Sequence, residues 1–174
     1  QNLVLSSWKD AQTSAIIDRG ISAYIEVPVN GCFKDVRKRK VKDEEKTLDK
    51  IWRLGGETGW YYGNILWRTR GLMDQMIGGV GMRRGRRSVM EIKAGDALDC
   101  WRVLLADRKE KRLLLYAEMK LPGEAWLEFK IEKEELIQTA TFRPKGLSGR
   151  LYWYAVYPFH GFIFNGLINK LTNE

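Results

Sequence analysis

Leu151 to Ile168 is a run of eighteen residues with no Asp, Glu, Lys or Arg, and seven of them are aromatic: Tyr152, Trp153, Tyr154, Tyr157, Phe159, Phe162 and Phe164. No other stretch restricts the fold so strongly. Apolar surface of this extent has to be covered, either by the rest of the chain or by lipid. As a membrane span the run is long enough, but Pro158, His160, Asn165 and two glycines interrupt it. It also lacks a long aliphatic centre, and aromatics belong at membrane interfaces more than in hydrocarbon. The expectation is therefore a long helix packed on a sheet, kinked or split in two by Pro158.

The preceding residues supply that sheet. Leu98–Ala106 and Arg112–Lys120 flank the charged loop Asp107–Lys111, which reads as a hairpin. Pro122-Gly123 turns the chain into Ala125–Glu132, where Ala125, Leu127, Phe129 and Ile131 alternate with Trp126, Glu128, Lys130 and Glu132. Lys133-Glu134 leads into Leu136–Arg143, and Pro144 ends that strand. Four strands joined by short turns make an antiparallel meander.

Upstream, Phe33–Lys42 puts Phe33, Asp35, Arg37, Arg39 and Val41 on one side and Lys34, Val36, Lys38, Lys40 and Lys42 on the other. Neither side is cleanly apolar, which suits an edge strand guarded by lysine; contact with an anionic partner is the alternative. Asp43–Leu54 reads as a helix, with Asp43 as N-cap, Glu44 and Glu45 in the first turn, and Leu48, Ile51 and Trp52 as its buried stripe. Gly55-Gly56 ends it. Between this glycine pair and Gly78-Gly79, Tyr62, Ile65, Leu66, Met73, Met76 and Ile77 recur at helical spacing, and Arg83, Arg84, Arg86 and Arg87 follow. Residues 1 to 31 read as a connector, with Tyr24–Val29 as a short strand closed by Pro28 and Asn30-Gly31. The domain proper is then 32 to 174.

The order of strand, two helices, several antiparallel strands and a long terminal helix describes an α+β protein. A curved antiparallel sheet around a C-terminal helix is the helix-grip fold of START lipid-transfer domains and the birch-pollen allergen relatives. Such an arrangement can leave an apolar cavity between its layers. Trp60, Tyr61, Trp67, Trp101, Trp126, Trp153 and Tyr157 would line it, or else form a large aromatic core; both readings stand.

The acid–base candidates are Asp99, Glu118 and Glu128, placed in strands where a carboxylate facing a cavity would have a raised pKa, and the single His160. The carboxylates would equally face solvent or pair with Arg102 or Arg143, and a hydrogen-bonded core histidine is the plainer reading of His160. With one histidine, and with Cys32 and Cys100 far apart, no metal spacing exists, and free thiols in a reducing cytoplasm are expected. Gly78-Gly79-Val80-Gly81 fails the dinucleotide pattern because Arg84 occupies its last glycine position. The arginine cluster suits a phosphate, an inter-domain patch or a solvated loop. The net charge of +8 admits an anionic surface as partner, a membrane included, while the absence of a stacking motif argues against nucleic acid.

Four blocks carry a family resemblance: GGETGWYYGNILWRTRGLMDQMIGGVGMRRGRR, GDALDCWRV, AEMKLPGEAWLEF and TATFRPKGLSGRLYWYAVYPFHGFIFNG. In that order they resemble domain of unknown function 2867, a bacterial family of the START-like superfamily. The resemblance implies the helix-grip fold and a small hydrophobic ligand. It also implies an N-terminal NAD(P)-binding Rossmann domain of the atypical short-chain dehydrogenase type, whose cofactor this domain would not hold itself. SSWKDA and YIEVPVNGCFKD resemble the junction in such two-domain proteins, so a C-terminal piece of a longer chain is expected. No catalytic residues come with the resemblance. A stand-alone enzyme using Glu118 or His160, and a peripheral membrane or protein-interaction module, remain the alternatives.

Overall fold

The computed structural model describes residues 27–56, 58–65, 67, 71 and 91–173. β1 (Phe33–Lys40) and α1 (Glu44–Trp52) come first. They are followed by β2 (Ala97–Leu98), β3 (Trp101–Asp107), β4 (Arg112–Ala117), β5 (Gly123–Glu132) and β6 (Glu135–Pro144), and then by α2 (Gly146–Thr172). The strands form one antiparallel sheet in the order β1-β6-β5-β4-β3-β2, and α2 packs on β1 and β6. This is the helix-grip arrangement expected from the order of elements.

β1 is the edge strand that its lysines suggest, paired along its length with β6 from Phe33↔Phe142 to Lys40↔Glu135. Asp43 caps α1, its Oδ1 accepting the Lys46 backbone N–H at 3.0 Å. α1 buries Thr47, Leu48, Ile51 and Trp52, and its Lys50 Nζ donates to carbonyls at the end of α2. The meander holds, with one correction. The expected strand Leu98–Ala106 is interrupted at Asp99-Cys100, where Asp99 takes φ +54° and β2 folds back on β3. Asp99 is therefore a turn residue, so its side chain does not follow the strand alternation. Val27–Val29 form no strand, and Val27 packs instead beside Leu105, Leu114 and Trp126; Tyr24–Glu26 lie outside the described residues.

The two faces of the sheet differ in content. Trp101, Val103, Leu113, Leu115, Leu127, Phe129, Leu136 and Ala140 join the main core under the helices. Leu105, Leu114 and Trp126 form a small separate cluster, with Tyr116 against it. The irregularity between Val103 and Leu105 accounts for the change of side along β3, because one extra residue inverts the alternation beyond it.

α2 runs through Pro158 as one helix of 27 residues, so of the expected kink or split the split does not occur. Proline removes one N–H and frees the carbonyl four residues back. Here both Pro158 and Tyr154 lie on the exposed arc, while Trp153 and Phe164 anchor the opposite side. The enclosure is also less complete than expected. Leu147, Leu151, Tyr154, Tyr157, Phe159 and Phe162 are exposed, and the buried arc is carried by Gly149, Trp153, Phe164, Leu167, Ile168 and Leu171. Among the described residues, no helix is long and apolar enough to cross a membrane.

The start of α2 is set by a close approach at Gly149. A Cβ there would stand 2.3 Å from the Pro122 carbonyl oxygen and 2.8 Å from Pro144 Cα, both backbone atoms. The same Pro122 oxygen accepts the Lys145 N–H at 2.8 Å, so neither side of the contact is free to retreat. Gly149→Ala is therefore expected to cost about 1–3 kcal/mol in denaturant unfolding through overpacking. Gly161→Ala, in the same helix with nothing within 4 Å of an added Cβ, should be neutral or stabilising.

Candidate functional site

The inner face of the sheet and the buried arc of α2 enclose most of the aromatic residues singled out from the sequence. Trp60 stacks on Trp67 at 4.9 Å between ring centroids, and Trp101 lies 6.0 Å from Trp60 and 6.4 Å from Trp67. Trp67 in turn meets Phe164 of α2 at 6.4 Å. From Phe164 the contacts continue to His160 at 4.9 Å, and from His160 edge-on to Trp153 at 5.1 Å. Trp153 then stacks between Phe33 at 5.3 Å and Phe142 at 5.9 Å, with Tyr157 at 5.8 Å. Tyr61, at φ +56°, packs half-buried against the same core.

Trp126 does not belong to this set. Its side chain lies on the outer face, edge-on to Tyr116 at 5.5 Å and beneath the Arg143 guanidinium at 5.8 Å. Odd and even positions of β5 point to opposite faces, so Leu127 and Phe129 exclude Trp126 from the interior.

The carboxylates separate in the same way. Glu118 accepts from Arg102 Nε at 2.9 Å, and Arg102 shares the outer parity of its partner Tyr116. Glu128 accepts from Arg112 Nε at 2.6 Å opposite Leu114, again on the outer side. Of the alternatives left open for them, both take the ion pair: Glu118 with Arg102, as the sequence allowed, and Glu128 with Arg112, each partly exposed. Arg143 pairs with Glu124 instead.

Of the three candidate carboxylates, Asp99 is the one buried against the aromatics. Its Oδ2 accepts the indole N–H of Trp60 at 3.0 Å, and the Trp60 backbone N–H is held by Asn64 Oδ1 at 2.9 Å. Burial pushes the Asp99 carboxyl above its ordinary range, opposed by the hydrogen bonds from Trp60 and the Gly56 backbone.

A second polar group on the inner face was missed from the sequence. Phe33, Asp35, Arg37, Arg39 and Val41 all take the side of β1 that faces α2. Phe33 stacks on Trp153, Arg39 Nε donates to Asn169 Oδ1 at 2.9 Å, and Val41 is in the core. Asp35 is buried and accepts from Arg37 Nη2 at 2.8 Å. Opposite Arg37 on β6 is Gln138, which is 1% exposed. The usable signal was parity: charges sharing a side with Phe33 and Val41 must be held inside.

Arg37 Nε, Gln138 Oε1, Trp67 Nε1 and Trp101 Nε1 are buried in these two regions with no hydrogen-bond partner among the described residues. Arg83, Arg84, Arg86 and Arg87, with Leu66, Met73, Met76, Ile77 and the Gly78–Gly81 stretch, lie outside the described residues. Neither Cys32 nor Cys100 forms a disulfide among the described residues. Among the described residues, no three His, Cys, Asp or Glu side chains stand together as metal ligands.

Comparison with known proteins agrees with the blocks read from the sequence. The model of the DUF2867 family, described as a protein of unknown function, matches residues 30–167, and the chain belongs to that family. No curated protein matches the chain. Among solved structures, the crystal structure of Ara h 8.0201 is similar at 11% identity, with a TM-score of 0.41 over 83% of this chain and 100% of that one.

The raised pKa of Asp99 has a definite consequence for stability. A carboxyl whose folded pKa lies above its unfolded value favours folding most when protonated, and the contribution is lost as pH rises through the folded pKa. Asp99→Asn keeps an acceptor for Trp60, tolerates the positive φ and carries no charge. It is expected to melt above the wild type at pH 7, with the difference shrinking as pH falls through the carboxylate range. Asp99→Ala should instead lose about 1–3 kcal/mol, because the Trp60 N–H is left buried and unpaired.

Proposed function

We propose that this DUF2867 domain holds a small, largely apolar molecule between the inner face of its sheet and the buried arc of α2. The observation that carries this reading is a set of buried polar atoms without partners among the described residues, Trp67 Nε1 and Trp101 Nε1 within the aromatic interior and Arg37 Nε and Gln138 Oε1 on the β1–β6 part of the same inner face. Each such atom costs on the order of 1–3 kcal/mol when left unsatisfied. Aromatic walls with a few unsatisfied polar handles are the composition of a small-molecule site. A ligand that offers partners to those handles stabilises the folded protein while it is bound. The junction-like residues 1 to 31 support an upstream NAD(P)-binding Rossmann unit, for which this domain would present the substrate.

The exposed aromatic arc of α2 favours a second reading, attachment to an anionic membrane surface. α2 contains no acidic residue, and Arg150 and Lys145 flank the exposed Leu147 and Leu151. Interfacial binding combines apolar burial with attraction between cations and acidic headgroups.

Native mass spectrometry of the purified protein, followed by solvent extraction, tests the first reading. A retained apolar compound, with a melting temperature that falls once it is stripped, is the expected result. A protein that carries nothing, and whose melting temperature rises with no apolar compound offered at saturation, would reject it. Co-sedimentation with phosphatidylserine vesicles but not phosphatidylcholine vesicles, lost in Leu151→Ser/Phe162→Ser, would establish the second reading instead.

A further inference from the structure

The inner side of β1 is unusual for a strand that packs on a helix, because three of its five positions from Phe33 to Val41 are charged. Phe33 is anchored to Trp153, and Arg39 reaches Asn169, so Arg37 lies beneath the span of α2 between those two anchors. Over that span Val156, His160, Ile163 and Phe164 are the positions on the buried or half-buried side. Across the sheet, Gln138 is the direct partner of Arg37. It shares its side of β6 with Leu136, Ala140 and Phe142, all of them buried. Directly opposed residues on one face have Cβ atoms roughly 4.5–5.5 Å apart, so the two side chains are neighbours.

The pair is chemically specific. Arg37 gives its Nη2 to Asp35, while its Nε, a donor, is buried and unpartnered. Gln138 Oε1, an acceptor, is buried and unpartnered among the described residues, on the cross-strand neighbour of Arg37. One donor and one acceptor without partners thus belong to two cross-strand neighbours on the inner face, and Asp35 already balances the arginine charge at 2.8 Å.

We infer that Arg37 and Gln138 form the seat for the hydroxyl group of an apolar alcohol or phenol, an assignment that rests on the apolar-ligand reading above. A hydroxyl on an apolar ligand accepts from one partner and donates to the other. An ether oxygen satisfies Arg37 Nε but leaves Gln138 Oε1 without a donor. A carboxylate does the same and adds repulsion from the Asp35 carboxylate, with no uncompensated cation to reward its charge. The seat therefore selects a neutral hydroxyl over both.

Isothermal titration of the protein with 1-decanol, decyl methyl ether and decanoate tests the assignment. Decanol is expected to bind about 3- to 10-fold tighter than the ether, the worth of one added hydrogen bond, and tighter than decanoate. Gln138→Met keeps the volume and apolar packing but removes the acceptor. It should erase the preference of decanol over the ether while ether binding stays as in the wild type, with an unchanged far-ultraviolet circular dichroism spectrum. Decanoate binding tightest, decanol and ether binding equally, or a preference that survives Gln138→Met would each overturn the hydroxyl seat and leave the apolar-ligand reading standing. Failure of all three compounds to bind would overturn both.

Discussion

The packing of α2 on β1 and β6 is the contact on which the rest of the structure depends. α2 is apolar on nearly every side, so its sequence does not say which side should face inward. The choice is made by a few steric fits. Trp153 slots between Phe33 and Phe142, Gly149 accepts the Pro122 and Pro144 backbone, and Gly166 lies under the Tyr62 ring, where a Cβ would stand 2.0 Å from a ring carbon. Small residues let a helix approach a neighbour closely, and a large ring beside them fixes its rotation. With α2 held this way, His160 and Phe164 turn inward and Tyr154 and Phe162 turn out. Every proposed role for the interior follows from that rotation.

Much of the fold was legible because it is written in short-range patterns. The alternation of Leu127, Phe129 and Ile131, the capping aspartate at Asp43 and the lysines of β1 each have a local physical meaning that survives in the folded chain. The failures came where a non-local term decided. Asp99 entered a turn at positive φ although its neighbours read as strand. Pro158 failed to divide α2 because anchors on both sides outweigh one missing hydrogen bond. Trp126 was grouped with the other tryptophans by residue type, although its parity in β5 already assigned it to the opposite face.

The interior site was only partly legible for a related reason. Aromatic residues announce an apolar layer, but polar atoms acquire their meaning from what is missing around them. Asp35, Arg37 and Gln138 read individually as surface residues, and only the β1–β6 register makes them neighbours under a helix. Conversely, Glu118 and Glu128 carry the same kind of charge on the outer parity, where arginine partners on the neighbouring strand hold them. A charge on an inward parity conflicts with the simplest rule of strand patterning, and such conflicts concentrate where function has been purchased at some cost in stability.

The pairing of β1 with β6 also governs the order of events in folding. The strands from β2 to β6 are joined by short connections and pair with their sequence neighbours, so they can assemble locally. β1 cannot: Phe33 has to await Phe142, the most distant register in the sheet. During synthesis β1 must therefore leave the ribosome long before its mate exists, with Val36 and the inward Phe33 exposed to other chains. The lysines at 34, 38 and 40 then act as chaperoning charges, keeping a waiting edge from pairing with strangers. Arg37 and Gln138 meet only in that final step, so the polar seat comes into being last, when the sheet closes under α2.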